Sequence, residues 1–473
     1  MLQVSFSARR VLASFGMVLG PLAAAHAADV TTPPAPSPPP PPCITGSITP
    51  GLPPELADPG GARAALAAKG IQFQVNYIGE VLDNASGGMR QGAIYDNRLE
   101  LCIDADLEKL SGWQGAALHA NGYWIAGRGL SGDYVGNLLT VSNIEALPST
   151  RLYEAWFEQK LADGEIAVRV GQLGADTEFL MSTYAGLFVN ATFGWPGITA
   201  ADLPSGGPAY PLATPGIRLK LAPSDQLSFL LGLYDGNPAG PGSGDPQERD
   251  PNGLDFRVTD PPLLIGEGQY SYNLDANAGL AGTVKVGIWD HFGTFADERF
   301  DTAGVPLAAP ASNGIAQRLS GDYGVYGVVD QMIYHLPGDD PTKGVGIFTR
   351  ISASPDDRNL ISFYADAGIN FSGIIASRPN DSFGLAIAYS QISDSVSAAE
   401  QDAVYYTDEQ RPIQDYEAAL ELTYQAQIVP GWTVQPDFQY IFHPGGHIAN
   451  PFNPAGVAIP NAAVVGVRMT INY

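Results

Sequence analysis

The sequence lacks several features on which other classes of protein depend. After residue 27 it contains no run of about 20 consecutive apolar residues, the length that a helix needs to cross a bilayer. Only 15% of its 473 residues are charged, and acidic residues outnumber basic ones by 49 to 24. The resulting formal charge of −25 argues against nucleic acid as a partner. If this protein crosses a membrane, it must do so with strands.

Residues with catalytic or metal-binding chemistry are also scarce, since histidine occurs six times and cysteine twice. His443 and His447 have the spacing of helical metal ligands, but the intervening Pro-Gly-Gly cannot form an ordinary helix. The carboxylates of residues 245–255 lack the spacing of a calcium-binding loop. No serine–histidine arrangement can be placed, although sequence order does not exclude one. We therefore predict no catalytic residues, no metal site, no cofactor and no enzymatic activity.

The first 60 residues carry targeting and linker signals. Arg9 and Arg10, the mostly apolar stretch that follows them and Ala25-His26-Ala27 predict a cleaved signal peptide over residues 1–27. An uncleaved N-terminal anchor is the alternative, but glycine and proline interrupt its short apolar stretch. Residues 28–60 form a proline-rich leader that favours an extended polyproline conformation and has no role that we can assign.

From Gly70 to the C-terminus, apolar and polar residues alternate with the period of two that is typical of strands. In residues 151–173 two such stretches are joined by Asp163-Gly164, a dipeptide suited to a tight hairpin. Most stretches are near the roughly 9–11 residues that a tilted strand needs to cross a bilayer. About sixteen strands are predicted, near residues 71–82, 97–109, 114–125, 151–161, 165–173, 214–222, 226–234, 262–273, 279–290, 322–334, 344–354, 360–373, 382–393, 416–429, 432–442 and 464–473.

The connections between these stretches favour a membrane barrel over a soluble sandwich. Tight turns such as residues 162–164 alternate with long loops, the longest of which spans residues 174–213. The last strand ends on Tyr473, which resembles the C-terminal signal of outer-membrane barrels. A short helix is predicted just before the barrel, because an alanine-rich segment precedes Gly70. Residues 61–473 are thus predicted to form an all-β transmembrane barrel of about sixteen antiparallel strands, with short periplasmic turns, long extracellular loops and an N-terminal helical segment.

Several segments in this order resemble the carbohydrate-selective porin family, the OprB-type outer-membrane porins. They are Glu158-Gln159, Gly171-Gln172-Leu173, Phe193-Gly194-Trp195-Pro196, Gly207-Pro208-Ala209-Tyr210-Pro211, Thr214-Pro215-Gly216, Asp330-Gln331, Gln435-Pro436-Asp437, Gln439-Tyr440 and His443-Pro444-Gly445. The resemblance implies a sixteen-stranded barrel in the outer membrane of a Gram-negative bacterium. It also implies passive uptake of sugars and a homotrimer.

A pore that favours sugars should offer paired hydrogen-bonding groups to hydroxyls and aromatic faces to C–H patches. Trp156 and Trp289 are the candidate stacking platforms on the inward parity of the strands. The residues predicted to line the pore and contact substrate are Arg98, Glu100, Tyr123, Glu154, Trp156, Glu158, Arg169 and Trp289. The alternative is that the charges pair across the wall and only keep the lumen wet.

Two further features leave alternatives open. The loop of residues 174–213 either folds into the pore and narrows it or remains an ordinary external loop. Cys43 and Cys102 either form a disulfide that ties the N-terminal segment to the wall or are two free thiols.

The predicted function is passive, substrate-selective diffusion of glucose-like carbohydrates, with small sugars and the outer-membrane bilayer as partners. A general or cation-preferring porin is the alternative, which the acidic composition would suit. A barrel hydrolase and an adhesive barrel are less favoured. The sequence does not identify the sugar.

Overall fold

Sixteen antiparallel strands close into one barrel in the computed structural model, which describes residues 46–274, 279–338, 340–408 and 410–473. Each strand pairs with its neighbours in sequence, and the first strand closes the barrel by pairing with the last. Within the described ranges, no helix combines the length and hydrophobicity needed to cross a bilayer. The predicted fold class and strand number are confirmed.

All sixteen predicted strands are present, with boundaries that differ by a few residues in most cases. The strands are β1 (Ile71–Ser86), β2 (Gly92–Asp106), β3 (Ala116–Gly127), β4 (Ser149–Leu161), β5 (Ile166–Leu173), β6 (Thr214–Leu221), β7 (Leu227–Asp235), β8 (Pro262–Tyr272), β9 (Gly282–Asp301), β10 (Ala316–His335), β11 (Gly344–Ala353), β12 (Ile361–Ser372), β13 (Ser382–Ile392), β14 (Tyr416–Val429), β15 (Trp432–Phe442) and β16 (Ala462–Asn472). The helical segments are α1 (Pro54–Ala57), α2 (Ala62–Ala68), α3 (Leu107–Ser111), α4 (Gly197–Asp202), α5 (Pro246–Arg249), α6 (Asp394–Thr407) and α7 (Pro444–His447).

One rim of the barrel carries the start of β1, the end of β16 and the short turns, and the other carries most of the long connections. The connections on the second rim are L1 (87–91), L2 (128–148), L3 (174–213), L4 (236–261), L5 (302–315), L6 (354–360), L7 (393–415) and L8 (443–461). L6 is short, as the sequence predicts, and L1 is short because β1 and β2 extend further than predicted. This asymmetry is the pattern of outer-membrane barrels.

The alternation of side chains sets the inner and outer faces, with one irregularity in β4. Asn121 of β3 pairs with Glu154, whereas Gly122 pairs with Leu152, so that Tyr153 is an extra residue in the ladder. Such a bulge redirects a side chain. Tyr153 lies on the apolar outer parity by simple alternation, yet it is 2% exposed and its hydroxyl bonds Asp176 inside the barrel.

Residues 46–70 pack on the rim that carries the start of β1 and the end of β16. Ile48 N–H donates to the Asn472 carbonyl at 2.8 Å, and the Tyr473 hydroxyl donates to the Leu56 carbonyl at 2.6 Å. The guanidinium of Arg63, on α2, lies 5.0 Å from the ring centroids of Phe73 and Tyr473. The predicted N-terminal helix is therefore present and covers the end of the last strand. The signal peptide and most of the leader lie outside the described residues and stay predictions.

Candidate functional site

L3 folds into the barrel, where carboxylates of the wall bind its backbone. Leu180 N–H donates to Glu267 of β8 at 3.0 Å, and Thr183 N–H donates to Asp330 of β10 at 3.0 Å. Further along the loop, Asn190 N–H donates to Glu421 of β14 at 2.9 Å. A backbone amide that leaves a strand needs an acceptor when it is buried, and inward-facing carboxylates supply one. The sequence left open whether L3 folds into the pore or stays outside it, and in the structure L3 folds into the pore.

Arg350 of β11 is the central anchor of L3. Its guanidinium pairs with Asp366 of β12 at 2.5 Å, and both side chains are almost fully buried. The same guanidinium donates to three L3 carbonyls, those of Leu180 at 3.1 Å, Gly194 at 2.8 Å and Thr192 at 2.8 Å. The planar fork of donors on arginine suits this multiple contact. One wall residue thereby holds two separated parts of the loop.

L2 also turns inward and joins L3. Asn143 N–H donates to the Val189 carbonyl at 2.9 Å, and Ala191 N–H donates to the Thr140 carbonyl at 2.9 Å. Leu139 N–H donates to Glu417 of β14 at 2.6 Å. The two loops together occupy the lumen on the side of β14 and β15. Two groups of charged side chains lie on β2, β4, β5, β6 and the first part of L3.

Two arginines and two glutamates form the first part of the site. We call these four residues the arginine–glutamate cluster: Arg169, Arg218, Glu158 and Glu178. Arg218 lies 2.8 Å from Glu158 and 2.5 Å from Glu178. Arg169 bridges the same two carboxylates, lying 3.1 Å from Glu158 and in direct contact with Glu178. Glu158, Arg169 and Arg218 are directly opposite one another on β4, β5 and β6. Glu178 comes from L3, so the loop completes the cluster.

Trp156 contacts this cluster through the guanidinium of Arg169. The His119 ring stacks on Trp156 at 4.6 Å from the β3 side, and Arg169 Cζ lies 3.7 Å from the Trp156 ring centroid on the β5 side. Gly171 pairs with Trp156 and allows β5 to lie close to β4, because a Cβ on Gly171 would lie 2.2 Å from the Ala155 carbonyl oxygen. Both faces of the indole are occupied by protein. In this conformation Trp156 orients Arg169 and offers no open face to a sugar.

Arg98 and three tyrosines form the second part of the site. Arg98 Cζ lies 4.8 Å from the Tyr123 ring centroid and 5.5 Å from that of Tyr210, and its guanidinium pairs with Glu100 at 3.2 Å. Tyr153 packs against both tyrosine rings. Tyr210 belongs to the end of L3, where its hydroxyl donates to the Ile144 carbonyl of L2 at 2.9 Å. A planar cation over aromatic rings is thus held beside a carboxylate.

Asp176 connects these tyrosines to L3. Its carboxylate accepts the Tyr153 hydroxyl and, at 2.9 Å, the Tyr210 backbone N–H. Burial raises the pKa of Asp176, although these hydrogen bonds oppose the shift. Sequence parity could not have selected Tyr153 or Tyr210, since one follows a bulge and the other lies in a loop.

The eight predicted pore-lining residues all lie on the inner side of the barrel wall, but they differ in accessibility. Arg98, Glu100 and Arg169 keep 16%, 11% and 17% of their side-chain surface accessible. Glu154 bonds the Gly174 backbone N–H at 2.9 Å and so holds the start of L3. Glu158 and Tyr123 belong to the groups described above. Their contact with substrate stays a prediction.

Trp289 and Cys102 are the remaining predicted side chains. Trp289 is 2% exposed and lies against Tyr326, so the second proposed stacking platform is also covered in this conformation. Cys102 is fully buried on β2. The Cys43–Cys102 disulfide stays a prediction because Cys43 lies outside the described residues.

Comparison with known proteins agrees with this geometry. The family model described as "Carbohydrate-selective porin, OprB family" matches residues 90–473. Porin B of Pseudomonas aeruginosa is 26% identical over 435 residues, which are 88% of this chain and 90% of that protein. The putative porin QuiX of Acinetobacter baylyi is 23% identical over 448 residues, or 88% and 92% of the two chains. Among solved structures, the high-pH structure of Pseudomonas putida OprB has a TM-score of 0.76 at 24% identity and covers 88% of this chain and 97% of its own.

Proposed function

This chain belongs to the carbohydrate-selective porin family of outer-membrane barrels, and from that premise we propose that neutral, glucose-like sugars diffuse past its arginine–glutamate cluster. The family and the fold make it a channel rather than an enzyme. The absence of catalytic activity and a homotrimeric assembly are parts of the same proposal, and the trimer is supported by the family resemblance alone.

The balance of charge within the arginine–glutamate cluster and the Arg98–Glu100 pair carries the proposal. Arg98 faces Glu100, while Arg169 and Arg218 lie between Glu158 and Glu178. Three guanidinium groups therefore face three carboxylates, and the formal charges cancel. A cancelled field gives little attraction to an ion of either sign, whereas each planar group still presents donors or acceptors to a hydroxyl. Such groups make the weak and repeated contacts that passage requires.

A cation-preferring porin is the competing function, and the net charge of −25 is the observation that favours it. Many of the acidic side chains inside the barrel are committed to other groups, however. Glu267, Asp330 and Glu421 are buried and accept hydrogen bonds from the backbone of L3. Carboxylates engaged in this way hold the loop and are covered from the passage. The acidic composition is therefore weak support for cation selectivity.

Single-channel conductance in a planar bilayer tests the proposal, with titration of glucose, maltose and a charged control solute. The native protein should show saturable block by sugar. Arg169→Ala should raise the half-blocking sugar concentration by about 10-fold, since a hydrogen bond to a charged group contributes about 1.5 kcal/mol. The same variant should shift the reversal potential toward cation selectivity, because Glu158 and Glu178 lose a counter-charge.

Two further variants separate charge from geometry. Arg169→Lys keeps the charge but loses the planar fork, so it should weaken sugar block without the shift in reversal potential. Arg318→Ala removes an exposed arginine whose guanidinium donates to the Thr294 carbonyl and belongs to neither charged group, and it should leave both readouts unchanged. Sugar-independent current through the native channel would replace the proposal with a general porin.

A further inference from the structure

Three side chains at the rim that carries the long loops bring metal-ligating atoms together. Asp415 ends L7 just before β14, and His443 and His447 begin L8. Asp415 Oδ1 lies 2.8 Å from His443 Nδ1, and Asp415 Oδ2 lies 3.8 Å from His447 Nδ1. One ligand atom from each residue lies within 4.8 Å of the other two. The cluster contains one carboxylate and two imidazoles.

The backbone of residues 443–447 explains how the two histidines meet. Their helical spacing cannot work through an ordinary helix, as the sequence indicates, because Pro444 is followed by two glycines. Gly445 and Gly446 adopt left-handed φ values of 71° and 75°, and His443 and His447 are themselves at 49° and 80°. This irregular turn places the two rings 4.3 Å apart. It overcomes the objection that the sequence raised against a metal site.

Left-handed φ is costly for a residue with a Cβ, and it persists where surrounding contacts impose it. His443 N–H donates to Asn461 at 3.0 Å, and Gly445 N–H donates to the buried Glu417 at 2.6 Å. These contacts fix the turn on both sides of Pro444. The histidines are therefore held close together before any ion arrives, which lowers the ordering that binding would require.

The ring stacking does not cover the ring nitrogens, and Asp415 Oδ1 already contacts His443 Nδ1 and accepts the Tyr416 N–H at 2.6 Å. Tyr416 lies 4.4 Å from the His443 ring, and His443 stacks on His447. Stacking uses the faces of an imidazole, whereas coordination uses the lone pair of a nitrogen in the ring plane. The side chains of His443, His447 and Asp415 keep 27%, 37% and 43% of their surface accessible. Solvent can therefore reach the space between them.

We propose that Asp415, His443 and His447 bind a divalent transition-metal ion of the zinc class at the rim of the long loops. Two imidazole nitrogens and one carboxylate are ligands that Zn²⁺ accepts, with water in the fourth position. Mg²⁺ and Ca²⁺ prefer sites built from oxygen, so they should compete poorly. Coordination would join the end of L7 to the start of L8 and fix this part of the mouth.

Zinc competition against a colorimetric chelator tests the site, using the full-length protein in detergent, without a histidine tag and stripped of metal beforehand. We expect binding that depends on the three residues and survives a 100-fold excess of Mg²⁺. His447→Ala and Asp415→Asn should each lower the zinc affinity by about 10-fold or more. In metal sites generally, loss of a residue that only supports a ligand already lowers the affinity by about that factor. His335→Ala is the matched control, since it removes a partly exposed histidine whose ring bonds the Asp340 carbonyl, away from the three proposed ligands.

Heat-modified migration on a gel establishes that each variant is folded before its affinity is compared. Loss of one zinc equivalent in both rim variants, with full binding by His335→Ala, supports the site. Equal zinc binding by the native protein and the two rim variants would overturn it, as would no binding by the folded native protein. A conductance assay without zinc should give native values for His447→Ala, which separates this proposal from that of the sugar pathway.

Discussion

Replacement of Arg350 by methionine should release the middle of L3. The substitution leaves Asp366 as a buried carboxylate without its guanidinium, and the carbonyls of Leu180, Thr192 and Gly194 lose their donor. Removing one partner of a buried ion pair costs about 3–5 kcal/mol. Because wall carboxylates still hold other parts of the loop, this cost should fall on local opening. About 4 kcal/mol corresponds to a roughly 1,000-fold larger opening equilibrium.

Hydrogen–deuterium exchange of peptides covering residues 188–198 measures this opening directly. The protection of these amides should fall in Arg350→Met and stay native in Arg318→Met, which removes an exposed arginine. The double variant Arg350→Met/Asp366→Leu should recover part of the protection, because it leaves no unpaired buried charge. Mean single-channel conductance should rise in the single variant as the loop becomes mobile. Unchanged protection in Arg350→Met would refute the assignment of Arg350 as the anchor.

Two other predictions concern L2 and the N-terminal helix. Burial raises the pKa of Glu145 to about 7, while its carboxylate accepts the Ser131 N–H. Because this pKa lies above the unfolded value, the contribution of Glu145 is complete below about pH 4.5 and is lost as the pH rises through 7. Hydrogen-exchange protection of residues 128–148, corrected for intrinsic exchange, should therefore fall as the pH rises through 7. In Glu145→Gln the protection should not change with pH, and a variant with the native pH profile would contradict the prediction. Arg63→Ala removes two cation–π contacts, so the unfolding free energy in detergent should fall by about 1–2 kcal/mol, and an unchanged denaturation midpoint would assign the helix no stabilising role.

The strands were predictable because the bilayer imposes a period of two on every segment that crosses it. Outside the bilayer this constraint ends, and the prediction becomes less accurate there. β9 is predicted to end near residue 290, yet it continues to Asp301. Its last residues include charged side chains such as Arg299, which pairs with Asp402 of α6 at 2.7 Å. An extended hairpin above the membrane can remain paired without an apolar outer face.

The contents of the lumen were less predictable, because strand parity gives the direction of a side chain and not what it meets. Trp156 and Glu154 both point inward as predicted. Trp156 is covered by His119 and Arg169, whereas Glu154 accepts a hydrogen bond from the backbone of L3. Whether an inward residue lines the passage depends on the path of L3, which has no periodic pattern to reveal it. The sequence therefore indicates which residues point inward, and tertiary packing decides which of them line the passage and which hold L3.

The distinction between residues that line the passage and residues that hold the loops also changes how the acidic composition of this porin should be interpreted. Net charge is a guide to ion selectivity only when the charged groups face the passage. Here Glu417 is fully buried and binds Leu139 N–H of L2 and Gly445 N–H of L8, while the equally buried Glu421 binds Val189 N–H of L3. An acceptor-only group with two oxygens suits such paired amides better than a glutamine, which has one acceptor. Acidic residues on the inner wall can thus serve to hold loops inside a pore, so that a strongly negative net charge does not by itself imply a negatively charged passage.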